Sequence, residues 1–170
     1  MHTKEEHFKD LIAGNEERLV RICRYYHSNA EGQKDLYQEI LVNIWKSLDK
    51  FRGESSINTW IYRIAVNTAI SFSGKSYRQS KLMINTDSSA MNILYDHTEL
   101  EGKLEQEALF EQLQVELNQL SIIDKALISL LLEGLTMKEI ANVIGITEPN
   151  VKVKIHRIKN QLKEKLVRDA

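Results

Sequence analysis

With 170 residues, one proline, 42% apolar side chains and a formal charge of −1, the chain has the size of one ordinary domain or two small ones. Its composition suits long helices and excludes a loop-rich β fold, a fibre or a disordered tail. A lone cysteine, Cys23, excludes an internal disulfide; without a leader-like segment or an apolar run of spanning length, no membrane insertion is expected and the expected compartment is cytoplasmic.

Phe8, Leu11, Ile12, Leu19, Ile22, Cys23 and Tyr26 form the first helical stripe, interrupted at Gly14-Asn15, and His27 to Gly32 reads as a connection. From Asp35 to Phe51, the residues Leu36, Ile40, Ile44 and Leu48, with Leu41 and Trp45 beside them, recur at the spacing of an amphipathic helix of about four turns or more. Arg52 to Ser56 is a polar loop containing Gly53. A third helix starts near Ile57 and runs through Trp60, Ile61, Ile64, Ala65 and Ile70 towards Phe72. Residues 1–81 thus make a helical bundle, with thirteen Lys and Arg against ten Asp and Glu.

Residues 82–104 hold scattered apolar side chains without a sustained period and read as a linker, extended or partly disordered when free. Between Leu82 and Glu116 one lysine, Lys103, stands against eight acids. The small net charge therefore hides an acidic middle between two mildly basic ends.

Residues 105–170 make a second helical domain, so the expected fold class is all-α, in two small units. Leu109, Leu113, Leu117 and Leu120 mark one helix. Ser121 with Asp124 resembles a capping box opening the next, through Leu127, Leu130 and Leu131, and Gly134 is placed to end it in the left-handed conformation. Thr136-Met137-Lys138-Glu139 is a second capping box, followed by Ile140, Ala141 and Ile144 on a short buried face. Gly145 supplies the turn, Ile146 packs inward, Thr147 caps a last helix, and Pro149 lies in its first turn, where a missing N–H costs little. Val151, Ile155, Ile158 and Leu162 form its buried stripe. This is the sequence form of a DNA-binding helix-turn-helix. Its other face carries Asn150, Lys152, Lys154, Arg157 and Lys159, suited to base edges near the helix start and phosphates elsewhere. A structural hairpin with a solvated basic face stays open at this point.

An enzyme is not expected. His2, His7, His27, His97 and His156 are dispersed, and no metal-spaced Cys/His set, Gly-rich phosphate loop or nucleophile signature is present. No cofactor is implied. A self-sufficient dimeric helix-turn-helix regulator is the alternative.

Two stretches carry a family resemblance. DLYQEILVNIWKSLDKFRGESSINTWIYRIAVNTA, Asp35 to Ala69, resembles the second region of extracytoplasmic-function sigma factors, and GLTMKEIANVIGITEPNVKVKIHRIKNQLKEKL, Gly134 to Leu166, resembles their fourth. The resemblance implies a protein that binds core RNA polymerase and directs it to promoter DNA, part of it single-stranded and part duplex, commonly under the control of an anti-sigma factor.

By the same resemblance, Asp35, Gln38 and Glu39 face the polymerase. Phe51, Ser55, Ser56, Asn58 and Asn67 capture unstacked bases of the minus-ten element, and Arg52, Arg63, Lys75, Arg78 and Lys81 hold backbone phosphates. Trp60, an aromatic at helical spacing, is expected in the core. Thr147, Glu148, Asn150, Lys152, Lys154, His156, Arg157 and Lys159 belong to the reader of the minus-thirty-five duplex, with Asn150, Lys152 and Lys154 pointing outward. The acidic linker, with Glu99 and Glu101 in it and Glu105 and Glu107 just beyond it, is expected to lie in a cationic channel of the polymerase. Where many relatives carry a run of arginines, the weaker SGKSYRQSK implies fewer phosphate contacts.

Overall fold

The structure, a computed structural model, describes residues 3–82 and 100–168, with side chains placed at 3–74, 107–108 and 111–165. All regular structure among these residues is helical. The expected linker lies mostly outside the described residues, and so do the side chains of Lys75, Arg78, Lys81, Glu99, Glu101 and Glu105.

Helix α1 (Lys4–Ala13) opens on a reciprocal cap: Thr3 Oγ1 accepts from the Glu6 amide at 3.2 Å, and the Glu6 carboxylate accepts from the Thr3 amide at 2.9 Å. It has no fully buried residue and attaches through half-buried Phe8, whose ring meets Trp45 edge-on at 5.2 Å. Helix α2 (Glu16–Tyr26) is more deeply anchored, with Leu19 and Ile22 fully excluded from solvent. Each such side chain contributes roughly 1.5–3 kcal/mol, so the bundle rests on α2 and its partners and α1 is an accessory.

Helix α3 (Ala30–Ser47) starts five residues before the expected Asp35. Asn29 caps it by accepting from the Gly32 amide at 2.6 Å. Gly32 therefore lies in the first turn and not in a connection. A Cβ there would come within 2.8 Å of Asn29 Oδ1 and His27 Nδ1, so the glycine marks a close approach and not a break. The helix also ends before Phe51: Leu48–Lys50 tighten into a 3-10 turn that delivers Phe51 in extended conformation. Helix α4 (Ile57–Leu82) packs on α2 and α3 through Ile61, Ala65, Val66 and Ala69, all without solvent exposure.

In the carboxy-terminal half, α5 (Leu100–Asn118) begins about a turn before the expected Glu105. Leu100, Glu101, Lys103 and Leu104 are good helix formers, and they extend the leucine series backwards through Gly102. Ser121 caps α6 (Ile122–Leu132) by accepting from the Asp124 amide at 3.2 Å, which is half of the expected box. The Asp124 carboxylate is engaged elsewhere, by Arg157 at 3.2 Å. Gly134 has the predicted positive φ of 84°.

Helices α7 (Met137–Ile144) and α8 (Glu148–Arg168) form the helix-turn-helix. The Thr136–Glu139 box is complete, with bonds of 3.2 and 2.8 Å. The Glu139 carboxylate accepts from the Thr136 amide at 2.8 Å and from the Thr136 hydroxyl at 2.9 Å, and these two bonds, the backbone one first, hold it below the usual carboxylate range. Gly145 turns the chain at φ 83° and donates to the Ala141 carbonyl at 2.9 Å. Val151, Ile155 and Ile158 are buried as expected.

A Cβ on Gly145 would meet no atom within 4 Å, so Gly145→Ala adds backbone strain and nothing else. The substitution is expected to cost about 1–2 kcal/mol, the left-handed penalty of an L-residue, read from urea denaturation. Gly145→Asn should recover part of the loss, because asparagine tolerates this conformation.

Candidate nucleic-acid interface

Helices α3 and α4 present polar ridges on either side of one groove. On α3, Asp35, Gln38 and Glu39 are exposed, one turn apart on the same side. Glu39, Asn43 and Ser47 continue this ridge along one wall of a cavity of about 340 Å³; Asn67, Thr68 and Ser71 of α4 line the other. Asn43 Nδ2 donates to Thr68 Oγ1 at 3.0 Å and ties the walls together. The fold thus brings Glu39, expected to face a protein, to the same groove as Asn67, expected to face a base.

Arg63 and Asn67 stand one turn apart on the outward side of α4, both exposed. Asn58 is also exposed but lies nine residues before Asn67, about two and a half turns, on the opposite side of the helix. It belongs with the loop. There, Phe51 and Trp60 pack as a tilted pair with centroids 5.3 Å apart, both half-buried. Trp60 is thus part of the core margin and also backs Phe51. Arg52 is exposed, and Ser55 Oγ donates to the Ser56 carbonyl at 3.3 Å. Ser56 has a structural duty: its hydroxyl accepts from the Thr59 amide at 3.1 Å and meets Thr59 Oγ1 at 2.8 Å, capping α4.

On α8, Asn150, Lys152, His156, Arg157 and Lys159 are exposed, with Thr147 just before the helix. Lys152 pairs with Glu148 at 2.9 Å, and Asn160 lies 3.2 Å from the His156 ring. Lys154 does not share the outward face of Asn150 and Lys152. It follows Val151 by three residues and precedes Ile158 by four, so the helical repeat sets it half-buried beside the apolar stripe. Arg157 reaches back to Asp124, bracing α8 on α6.

The two halves are docked. Helices α5 and α6 pack on α2, and α6 and α7 on α4. Arg21 Nε and Nη2 donate to the Glu133 carboxylate at 2.9 and 3.0 Å, and that carboxylate is 1% exposed. The bond to Glu133 raises the guanidinium pKa above its ordinary value. Arg63 Nη2 donates to the Asn142 carbonyl at 2.6 Å, and Thr59 Oγ1 donates to Glu139 Oε1 at 3.5 Å. Helix α7 therefore stands over the outward ridge of α4. Gln114 donates to the carbonyls of Arg24 and His27, and Arg24 pairs with Glu107.

Sequence reasoning overlooked Asn43, Thr59 and Thr68. For Asn43 a signal existed: Glu39, Asn43 and Ser47 recur every four residues along the edge of the apolar stripe. Thr59 and Thr68 gave none, because a threonine facing a groove and one facing solvent look alike in sequence.

Residues 11–79 match the family model of sigma-70 region 2, and residues 110–162 that of sigma-70 region 4. The RNA polymerase sigma factor YlaC of Bacillus subtilis is 30% identical over 158 residues, covering 90% of this chain and 87% of that protein. The ECF RNA polymerase sigma-E factor of Escherichia coli K12 is 29% identical over 170 residues, covering 94% and 86%. Among solved structures, the sigma factor RpoE in complex with the anti-sigma factor NepR, from Bartonella quintana, superposes with a TM-score of 0.70 at 21% identity, over 97% of this chain and 99% of that one.

Proposed function

The chain belongs to the sigma-70 family, as an RNA polymerase sigma factor of the extracytoplasmic-function type, and on that premise we propose how its surfaces divide promoter recognition. As a sigma factor it binds core RNA polymerase and directs promoter-specific initiation. The bond-making chemistry belongs to the polymerase. The stand-alone dimeric regulator is set aside, because the amino-terminal half is itself a sigma region.

The observation that carries the division of labour is that the amino-terminal half has two outward polar ridges, on α3 and on α4, and the carboxy-terminal half has one, on α8. The α3 ridge of Asp35, Gln38 and Glu39 docks on the polymerase. The α4 ridge and the Phe51–Ser56 loop take the single-stranded minus-ten element, with Asn67 on a base and Arg52 and Arg63 on phosphates; Lys75 and Arg78 extend the phosphate track. The first turns of α8, from Thr147 to Arg157, enter the major groove of the minus-thirty-five duplex, and Lys159 stays near the backbone.

In the docked arrangement Arg63 is occupied by the Asn142 carbonyl, so the halves part before promoter DNA reaches it. Polymerase supplies that separation by holding each half at its own element, which makes two modest contacts act as one. An anti-sigma partner, as in the RpoE–NepR structure, would act by holding the halves away from those places. The working compartment is the cytoplasm, with the polymerase.

Run-off transcription with purified core enzyme on a randomised promoter library tests this reading. Two enriched blocks at one fixed spacing are expected, and a transcript yield indifferent to both blocks contradicts it.

A further inference from the structure

Val153 is the most exposed large apolar side chain among the described residues, at 69%. It lies at the centre of the outward face of α8. Pro149, Val153, His156 and Asn160 follow one another at four- and three-residue steps and form a single row, all exposed. Lys152 flanks that row on one side and Arg157 on the other, each already paired, with Glu148 and Asp124. Val151, two residues away, is completely buried. The fold has a use for the first valine and none for the second: a β-branched side chain facing water weakens a helix and buries nothing.

In the major groove the distinctive apolar feature of a base edge is the 5-methyl group of thymine. Val153 is the sixth residue of α8, within the amino-terminal turns that reach base edges in helix-turn-helix proteins. We propose that Val153 reads one thymine of the minus-thirty-five element by packing its isopropyl group on that methyl. The proposal rests on the assignment of α8 to that duplex and deepens it by naming one base and one atom. The paired charges beside Val153 position the helix, and Val153 gives sequence preference.

The test uses the full chain with core polymerase on the promoter found by selection. Each thymine of the minus-thirty-five block, on either strand, is replaced singly by deoxyuridine, which removes the methyl and leaves the hydrogen-bonding edge intact. The wild-type chain should lose about fourfold in promoter occupancy at one position, the worth of one buried methyl-sized group. Val153→Ala should lose a similar factor on the thymine promoter and show no further loss on the uridine one, whereas Val153→Ile keeps the discrimination. A block with no thymine on either strand, no sensitive position, or the same sensitivity in Val153→Ala overturns the proposal. If scrambling the whole block leaves occupancy unchanged, the assignment of α8 has failed too; if scrambling matters and uridine does not, only the role of Val153 is lost.

Discussion

Arg21→Met is expected to open the junction between the two halves, lowering the stability of the docked form by about 3 kcal/mol, the lower end for breaking a buried pair. The lower end applies because the two partners differ: Glu133 is almost wholly enclosed, whereas the Arg21 side chain is 39% exposed. Without the guanidinium, the Glu133 carboxylate either stays buried with only the Tyr25 hydroxyl against it and no cation, or gains water by parting the halves. The second course limits the loss. Glu133→Gln keeps an acceptor for Arg21 and should cost about 1 kcal/mol, the worth of an ordinary hydrogen bond. Small-angle scattering should show a larger radius of gyration for Arg21→Met, with helical content by circular dichroism unchanged. An unaltered radius and urea midpoint would show that apolar packing alone holds the junction.

The second large effect concerns the α4 ridge, where Arg63 bonds across the junction to the Asn142 carbonyl. Arg63→Ala with Asn67→Ala is expected to reduce run-off transcription about 100-fold, equivalent to about 2.7 kcal/mol. One phosphate contact and one hydrogen-bonded base contact together reach that figure. Both side chains are exposed, so α4 keeps its packing; the bond to the Asn142 carbonyl is lost, which loosens the junction and not the bundle. Competition for core polymerase should be unchanged, because Asp35, Gln38 and Glu39 lie on α3. Loss of polymerase binding together with transcription would move these residues from DNA to the protein interface.

The helix-turn-helix was legible because its determinants are local. A reciprocal cap, a glycine at positive φ and a three-four apolar spacing each act within a few residues, and each recurs in the structure at Thr136, Gly145 and Val151. Boundaries were harder to read where one residue type serves two ends. Gly32 looked like a break and proves to be a contact point under His27, so α3 began earlier than its apolar stripe suggested. Lys154 looked outward by charge but is placed by its distance from Val151 and Ile158.

The docking of the halves was not legible. Arg21 and Glu133 are 112 positions apart, and Arg63 and Asn142 are 79 apart. Arginine, glutamate and asparagine are residue types usually found in water. Nothing in their local pattern separates a partner across a junction from a solvated surface. The α3–α4 groove was half legible: its α3 wall has a four-residue polar repeat, whereas its α4 wall is recognised only once Thr68 and Asn43 are seen bonded.

Fluorescence anisotropy on the selected promoter and a scrambled duplex, with and without core polymerase, tests the central claim most directly. The pure chain should distinguish the two duplexes by no more than about threefold, and addition of core enzyme should raise the discrimination at least about 100-fold, the gain expected when two weak readers are tethered. Tight, selective binding of the duplex by the chain alone, undiminished when polymerase is left out, would contradict the account.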